Sequence, residues 1–281
     1  MSDRQGGCTP ILPPELERDI FERAAWSCRG TAVVFALVAR RVQQWMESYL
    51  YDTVTLASRT VCDRFLYVVG VRPPAFFVAT VKSLCIPGDI APEDALRVLE
   101  VCKGVVNLAY WITVCIRPSR YFAAISSLRP ERLSINAGGL FGREVPPDFT
   151  HPFFEQVTHL EVVDWPFVAL SSVPSRFELL PSLTHLAVDV DRYDESIINQ
   201  LRSVLKACPR LRVLLCLVPN ERAMIDASHA FRELDKDDGR IVILSDSDPL
   251  ENWEGSLIGS YDTCPWTYAE AMIVEKRNSK T

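Results

Sequence analysis

The stretches VTHLEVV (157–163) and LTHLAVD (183–189) place apolar and polar residues in the same frame. Their central residues, Leu160 and Leu186, are 26 positions apart. The frame is an apolar residue, two variable positions, a leucine, a variable position and an apolar residue, and it recurs at spacings of 24 to 30 residues. Its other central positions are Val54, Leu84, Leu108, Leu133, Leu214 and Val242. The spacing predicts eight similar strands, each belonging to one unit of a repeat.

Segments with helical periodicity separate several of these strands. One begins at Pro92 and stops at Gly104, and another, at 194–209, carries its apolar residues on one face. A strand followed by a helix at a period in the twenties resembles the leucine-rich repeat. Such a unit buries its apolar face only by stacking on its neighbours. The resemblance therefore implies an α/β solenoid with a parallel sheet on its concave side. The repeat is irregular, since only Asn136 resembles the asparagine that usually follows the strand.

The segment LPPELERDIF (12–21) begins a helical region near the N-terminus. Its prolines suit a first helical turn, and the acidic residues that follow them favour a helix N-terminus. Its apolar residues recur at a spacing of four and form one face: Leu16, Ile20 and Ala24. A break at Gly30-Thr31 predicts the start of a second helix, which two arginines close. The amphipathic stretch VQQWMESYL (42–50) predicts a third.

This region resembles the F-box, a three-helix motif. The resemblance is carried by Leu12-Pro13, Glu15-Leu16, Ile20-Phe21 and Leu37-Val38 followed by Arg40-Arg41. Ala39 and Val42 stand where the family usually carries a Cys and a nearby Trp, so the chain is similar to the divergent F-box-like proteins of fungi. The family docks onto the Skp-type linker subunit of a cullin–RING ubiquitin ligase. The residues that the resemblance assigns to linker binding are Leu12, Pro13, Leu16, Ile20, Phe21, Val38 and Trp45.

These patterns divide the chain into four parts. We expect residues 1–10 to form a flexible tail and residues 11–52 the short F-box-like helical head. Residues 53–245 would form the leucine-rich-repeat solenoid, and residues 246–281 a C-terminal cap over the open edge of the last repeat, which solenoids require. A separate interaction tail is the alternative for that last part.

The residues that flank each central leucine predict a recognition surface. Successive side chains of a strand point to opposite faces, so the flanking residues lie on the concave face when the leucine is buried. The polar members, which we assign to target binding, are Ser83, Asn107, Arg132, Ser134, His159, Glu161 and His185. Because His159 and His185 occupy the same position in adjacent units, we expect them to be neighbours across about 5 Å.

Composition narrows the classes of partner. A formal net charge of −6 gives no support for a nucleic-acid surface, which would need a basic stripe. The longest strongly apolar stretch, Val105 to Ile116, is short of the ~20 residues that a membrane helix needs, and the first ten residues lack a secretory pattern. Nine cysteines without a C-x-x-C pair are expected to be reduced thiols. We therefore expect a cytoplasmic and/or nuclear protein that binds neither membranes nor nucleic acid.

Catalytic and metal-binding motifs are weak. The stretch NAGGLFG (136–142) is interpreted as a turn and DKDDG (235–239) as a loop before a strand, because neither completes a phosphate or calcium motif. Four histidines offer few general bases, and no hydrolase, zincin or kinase motif occurs. We expect no catalytic residue, metal or cofactor, although an enzyme with its own active site remains an alternative.

Two functions of different kinds fit these features. The first is a substrate-recognition adaptor of a cullin–RING ligase, whose head binds the Skp-type linker and whose repeats bind an unknown target protein. The second is a leucine-rich-repeat protein-binding scaffold with no ligase link, in which the N-terminal helices act only as a cap.

Overall fold

A computed structural model describes residues 12–27, 29–113, 118–141, 148–163, 176–245, 248–258 and 264–279. Within these ranges the chain forms one eight-stranded parallel sheet and thirteen α-helices. The α/β class predicted from the alternation of strand and helix patterns is confirmed. The predicted flexible tail, residues 1–10, lies outside the described residues.

The strands follow one another in the sheet in chain order, and each pairs in parallel with the next. Their bounds are β1 Thr53–Thr55, β2 Ser83–Ile86, β3 Asn107–Tyr110, β4 Arg132–Asn136, β5 His159–Val163, β6 His185–Asp189, β7 Val213–Val218 and β8 Ile241–Ser245. This sequential order means that every described connection returns the chain to a neighbouring position in the sheet.

The helices precede, connect and follow these strands. Their bounds are α1 Pro14–Ser27, α2 Arg29–Phe35, α3 Arg40–Leu50, α4 Arg59–Val71, α5 Pro74–Thr80, α6 Pro92–Val101, α7 Pro118–Ile125, α8 Ala137–Phe141, α9 Glu195–Ala207, α10 Glu221–Ala230, α11 Arg232–Asp238, α12 Pro249–Ile258 and α13 Pro265–Asn278. Short 3-10 turns at Pro152–Phe154 and Phe177–Leu179 accompany the connections before β5 and β6.

The central residues of the repeated frame align across the sheet. The register pairs Val54 with Leu84 and continues in unbroken steps to Leu186 and Leu214. The six central leucines are all buried, which confirms the predicted ladder from β1 to β7. At β8 the prediction is wrong by one residue, because Leu214 pairs with Ile241. A shift of one residue reverses the face, so Val242 points away from the ladder.

We call the face that carries the central leucines the core face. Helices α4 to α11 contribute to one continuous apolar cluster with it, including Phe65 of α4, Leu99 of α6 and Leu201 of α9. A group of phenylalanines around the connections to β5 and β6 extends the cluster, with Phe153 and Phe154 fully buried. The connecting segments therefore supply the main core on one side of the sheet.

The other side, which we call the opposite face, is covered by the C-terminal helices. Leu250, Trp253 and Leu257 of α12 pack against side chains of β2, β3 and β5. Ala269 and Ile273 of α13 pack over β6, β7 and β8. The C-terminal segment was expected to cover the open edge of the last unit, but it crosses the opposite face from β2 to β8. Apolar residues at the outward positions of these strands favour that cover.

Helices α1 to α3 form an N-terminal module, residues 12–50, with its own small core. Ala25, Ala32, Val42 and Met46 are completely buried in it. The predicted break at Gly30-Thr31 is wrong, because both residues lie within α2. The two arginines begin α3 instead of ending the preceding helix, and Arg41 forms an ion pair of 2.8 Å with Glu17 of α1.

Two loop assignments are also corrected. Within NAGGLFG, Asn136 ends β4 and residues 137–141 form α8, whose first turn is capped because the Asn136 side-chain oxygen accepts from the Gly139 amide at 2.7 Å. The residues DKDD close α11, and Gly239 ends it in the left-handed conformation, with φ 75°. Among the helices that the structure describes, none combines the length and hydropathy needed to cross a membrane.

Candidate functional site

The predicted linker-binding residues divide between the surface and the core of the N-terminal module. Leu12, Leu16 and Ile20 recur every four residues and remain 44 to 55% exposed. Pro13 and Val38 are also exposed. An apolar stripe of this kind is solvated in the isolated chain, so it is available to a partner.

Phe21 and Trp45 have a different environment. The Phe21 ring meets the Phe35 ring edge to face at a centroid distance of 4.9 Å. Trp45 packs against the buried cluster around Met46. Both side chains are half-buried, so they hold the three helices together and offer only part of their surface to a partner. Linker contact by these two residues stays a prediction.

The structure adds exposed apolar residues that the sequence reasoning did not assign. Val33 and Val34 of α2 are more than half exposed, and Leu37, in the turn after α2, is 84% exposed. The signal was present in AVVFALV (32–38), an apolar run too continuous for a helix with one buried side. Together with the stripe on α1, these residues form what we call the head patch: Leu12, Leu16, Ile20, Val33, Val34, Leu37 and Val38.

The predicted target-binding residues lie in register on the opposite face. One row runs across the sheet through Ser83, Asn107, Arg132, His159 and His185. A second row contains Ser134 and Glu161, which are paired across β4 and β5. Within the first row the Asn107 side-chain amide donates to the Ser83 hydroxyl at 3.0 Å. The alternation of side chains along each strand therefore predicted correctly that all seven lie on one face.

Their accessibility differs from the expected open surface. Ser83, Ser134 and His185 are buried, and the other four are half-buried. Ser134 accepts a hydrogen bond of 2.7 Å from the Trp111 indole, and Arg132 donates to the carbonyl oxygen of Ser256 in α12. The C-terminal helices thus occupy the surface on which a target was expected. Target contact by these residues stays a prediction, and for the buried ones it requires the cover to move.

The two histidines are stacked at the centre of this face. The rings of His159 and His185 lie 4.1 Å apart with an interplanar angle of 8°. Their Nδ1 atoms lie 2.8 Å from the hydroxyls of Thr158 and Thr184, respectively. The Trp266 ring of α13 meets both imidazoles edge to face. The predicted adjacency of the two histidines is confirmed, and the Trp266 indole covers both rings.

Burial beneath α13 keeps both imidazoles neutral. Desolvation, with smaller contributions from His185 and Arg132, lowers the pKa of His159 to about 3. Desolvation also lowers the pKa of His185, against the opposing effect of its contact with Glu270. In that contact Nε2 of His185 lies 3.1 Å from the Glu270 carboxylate. The pair is therefore arranged as an uncharged packing and hydrogen-bonding element.

A pocket lies between the sheet and the junction of α12 with α13. It has an empty volume of about 440 Å³, including its mouth. Polar side chains of Arg132, His159 and Glu161 meet the indoles of Trp253 and Trp266 in its lining. Trp253 is buried, and its indole nitrogen has no hydrogen-bond partner in the described part of the chain. Among the described residues, the cover over this part of the face therefore leaves a pocket and a donor without a partner.

The cysteines that the structure describes are buried free thiols: Cys62, Cys85, Cys102, Cys208, Cys216 and Cys264. Desolvation raises the pKa of Cys102 and Cys216 to about 12 and is the main cause that raises the pKa of Cys208 to about 11. These thiols stay protonated near neutral pH, so they act as small core side chains. Cys8, Cys28 and Cys115 lie outside the described residues.

No cluster of three or more His, Cys, Asp or Glu side chains suited to a metal ion occurs among the residues described. The two surfaces that the arrangement offers are an exposed apolar head patch and a mixed aromatic and polar face beneath two helices. Comparison of the chain with protein-family models, with curated proteins and with solved structures finds no match.

Proposed function

We propose that this chain is a substrate-recognition adaptor of a cullin–RING ubiquitin ligase. Its N-terminal module is an F-box-like head that binds the Skp-type linker subunit. Its sheet and connecting helices form an irregular leucine-rich-repeat solenoid that binds a target protein. The observation that carries the proposal is the head patch, seven apolar side chains exposed on a module of about forty residues.

The head patch is suited to a protein partner. Exposed apolar residues scattered singly are normal, but seven of them on a module of about forty residues are the composition of an interaction surface. The α1 stripe at Leu12, Leu16 and Ile20 supplies a regular helical edge, and Leu37 projects from the turn after α2. These are also positions at which the sequence resembles the F-box, which is why the linker subunit is the partner proposed.

The module is joined to helices α4 and α5 through a small polar and aromatic junction. Glu47 of α3 forms an ion pair of 2.5 Å with Arg72, whose guanidinium lies 5.1 Å from the centre of the Phe76 ring. Tyr51 meets the same phenylalanine edge to face. The module also has its own buried cluster, separate from the main core, which supports the proposal that it acts as a head.

The sheet topology supports the solenoid part of the proposal. Eight parallel strands in chain order, with connecting helices sharing one core on one face, make each unit contact mainly its neighbours. This arrangement is the one expected of stacked repeats. The adaptor would then act by positioning, because holding a target near the transferred ubiquitin raises the effective concentration of the reacting groups. It would perform no chemistry itself, and it would work in the cytoplasm and/or nucleus.

Co-purification of the Skp-type linker tests the ligase role. Tagged wild-type chain is expected to retain the linker, and Leu16→Asp with Ile20→Asp is expected to lose at least ~90% of it, because charge replaces two exposed apolar contacts. Arg18→Ala serves as the matched control, since Arg18 is on the same helix and pairs only with nearby Glu22 in the described structure. Absence of the linker from the wild-type sample would reject the proposal.

The second candidate is a protein-binding scaffold in which the N-terminal helices serve as a cap. The packing of α3 against α5 and the ion pair between Glu47 and Arg72, which follows α4, are the observations in its favour. If the helices only cap the array, removal of residues 1–50 should collapse its thermal stability. A detachable head would instead leave a cooperative melt with a modest loss.

A further inference from the structure

The two C-terminal helices are attached to the opposite face in different ways. Helix α13 is fixed by buried Ala269 and Ile273 and by Lys276, which pairs with Asp235 and donates to the Ile241 carbonyl, both at 2.8 Å. These contacts join α13 to β8 and α11 at the end of the array. Because α13 covers the most apolar part of this face, we expect it to stay in place as a permanent layer of the fold.

Helix α12 rests on a separate part of the opposite face, which we call the α12 site. Its floor is made by Cys85 and Ala109, and Trp111, Val163 and Arg132 surround them. Small side chains on the floor let a helix approach the sheet closely. The site is therefore shaped by the sheet to receive a helix, and α12 shows which helix chemistry it accepts.

The residues of α12 define that chemistry. Leu250, Trp253 and Leu257 stand at positions i, i+3 and i+7, so they form one apolar edge, and all three contact the α12 site. At the other end of the helix, the Arg132 guanidinium donates to the carbonyl oxygen of Ser256. Carbonyls in the last turn of a helix lack intrahelical partners, and a cation there is favourable. The site thus binds two features of a helix, its apolar edge and its C-terminal carbonyls.

The contact between α12 and the sheet leaves one buried donor, the Trp253 indole nitrogen, without a partner among the described residues. The pocket of about 440 Å³ lies beside it. A helix that filled this space or satisfied these groups would fit the site better than α12 does.

We propose that the α12 site is the docking site for an amphipathic helix of a partner protein, and that α12 occupies it in cis until that helix displaces it. The partner helix presents apolar side chains at i, i+3 and i+7 and places its C-terminal carbonyls on Arg132. Calling this partner the ubiquitination target rests on the proposed function. Helix binding itself does not require the linker subunit.

A fluorescent peptide of residues 248–258 is the probe, and a peptide with serine in place of Leu250, Trp253 and Leu257 is its control. The full-length chain is used as wild type and as Leu250→Asp with Leu257→Asp. Since an intramolecular competitor acts at roughly millimolar effective concentration, the peptide should bind the variant at least ~10-fold more tightly than the wild type. Adding Arg132→Ala should weaken that binding about tenfold. Failure of the peptide to bind the variant, or equal binding of the control peptide, would overturn the proposal.

Hydrogen exchange on the wild-type chain gives a second readout that needs no variant. The amides of α12 should exchange at least ~10-fold faster than those of α13 and of the central strands, because α12 opens without unfolding the array. Equal protection of α12 and α13 would show one permanent layer and would reject the proposal. Loss of linker co-purification with peptide binding intact would remove the ligase role alone, so the two failures are distinguishable.

Discussion

His159 and His185 lie ring on ring against Trp266, with His185 buried and His159 half-buried. Arg132 and Arg212 add positive charge nearby, and both disfavour a further proton. Contact with Glu270 of α13 has the opposite effect and raises the pKa of His185. Glu161 lines the same pocket as His159. Desolvation is the largest effect, so the folded chain holds both rings neutral while the unfolded chain protonates them at their ordinary pKa.

This difference predicts an acid-sensitive step in stability. The pKa of His159 is lowered from 6.5 in the unfolded chain to about 3 in the folded chain. Below pH 6.5 the unfolded chain therefore binds a proton that the folded chain does not, and the free energy of unfolding falls as the pH falls toward 3. Between pH 7 and pH 5 the free energy of unfolding should fall by about 2 kcal/mol from this residue. Denaturant unfolding at both pH values measures it. His159→Gln should remove that part of the pH dependence, and an unchanged dependence in the variant would contradict the prediction.

At the scale of the element, close backbone contacts join successive units. A Cβ at Gly104, just after α6, would stand 1.9 Å from the Val78 carbonyl oxygen of α5. A Cβ at Gly139 in α8 would stand 1.8 Å from the Ile112 carbonyl oxygen, which follows β3. Each contact connects a unit to the one before it. Since backbone atoms cannot rotate away, glycine is required at both positions by the spacing of the units.

Two alanine substitutions separate this requirement from helix propensity. Gly104→Ala should lower the free energy of unfolding by about 1–3 kcal/mol, because α5 and α6 must move apart. Gly70→Ala is the matched control, since Gly70 is exposed in α4 and a Cβ there would meet no other atom within 4 Å. That change should raise stability by roughly 0.5–1 kcal/mol. Denaturant titrations of both variants decide, and equal effects of the two changes would refute the packing argument.

At the scale of the whole molecule, the sheet lies between two unequal layers. In the described ranges, the core face is buried by the connecting helices, and the opposite face is covered by two helices from the C-terminal part of the chain. Beneath α13 the outward residues Val213, Leu215, Leu217 and Val242 are all buried. Without α13 this apolar surface would face water, so the C-terminal helix completes the fold as well as covering a surface.

A pair of neighbouring substitutions in α13 tests that conclusion. Ile273 is 3% exposed against the sheet, whereas Val274 is 53% exposed. Ile273→Asp should lower the free energy of unfolding by about 3–5 kcal/mol, because it removes apolar packing and buries a charge. Val274→Asp should change it by less than ~0.5 kcal/mol. Dye binding to exposed apolar surface should rise only in the first variant, and a similar result for both would mean that α13 is loosely attached.

Much of the fold could be predicted because its repeat is local. A strand and its connecting helix recur within about 24 to 30 residues, so the position of Leu84, Leu108 or Leu160 in its own unit predicts which face it buries. The same alternation placed His159 beside His185 and all seven predicted target-binding residues on one face. The predicted register is wrong by one residue at the edge strand β8, which has one neighbour in the described sheet.

The amino-acid sequence by itself thus determined the class of the fold, the order of the strands and the row that each outward side chain occupies from β2 to β7. Only the tertiary structure decided what covers the opposite face and which apolar residues of the head remain exposed. The contacts that close this face join Arg132 to Ser256, 124 residues apart, and His185 to Glu270, 85 residues apart. Such long-range pairs leave no periodic pattern in the chain, because they depend on how a finished sheet and a distant helix fit together.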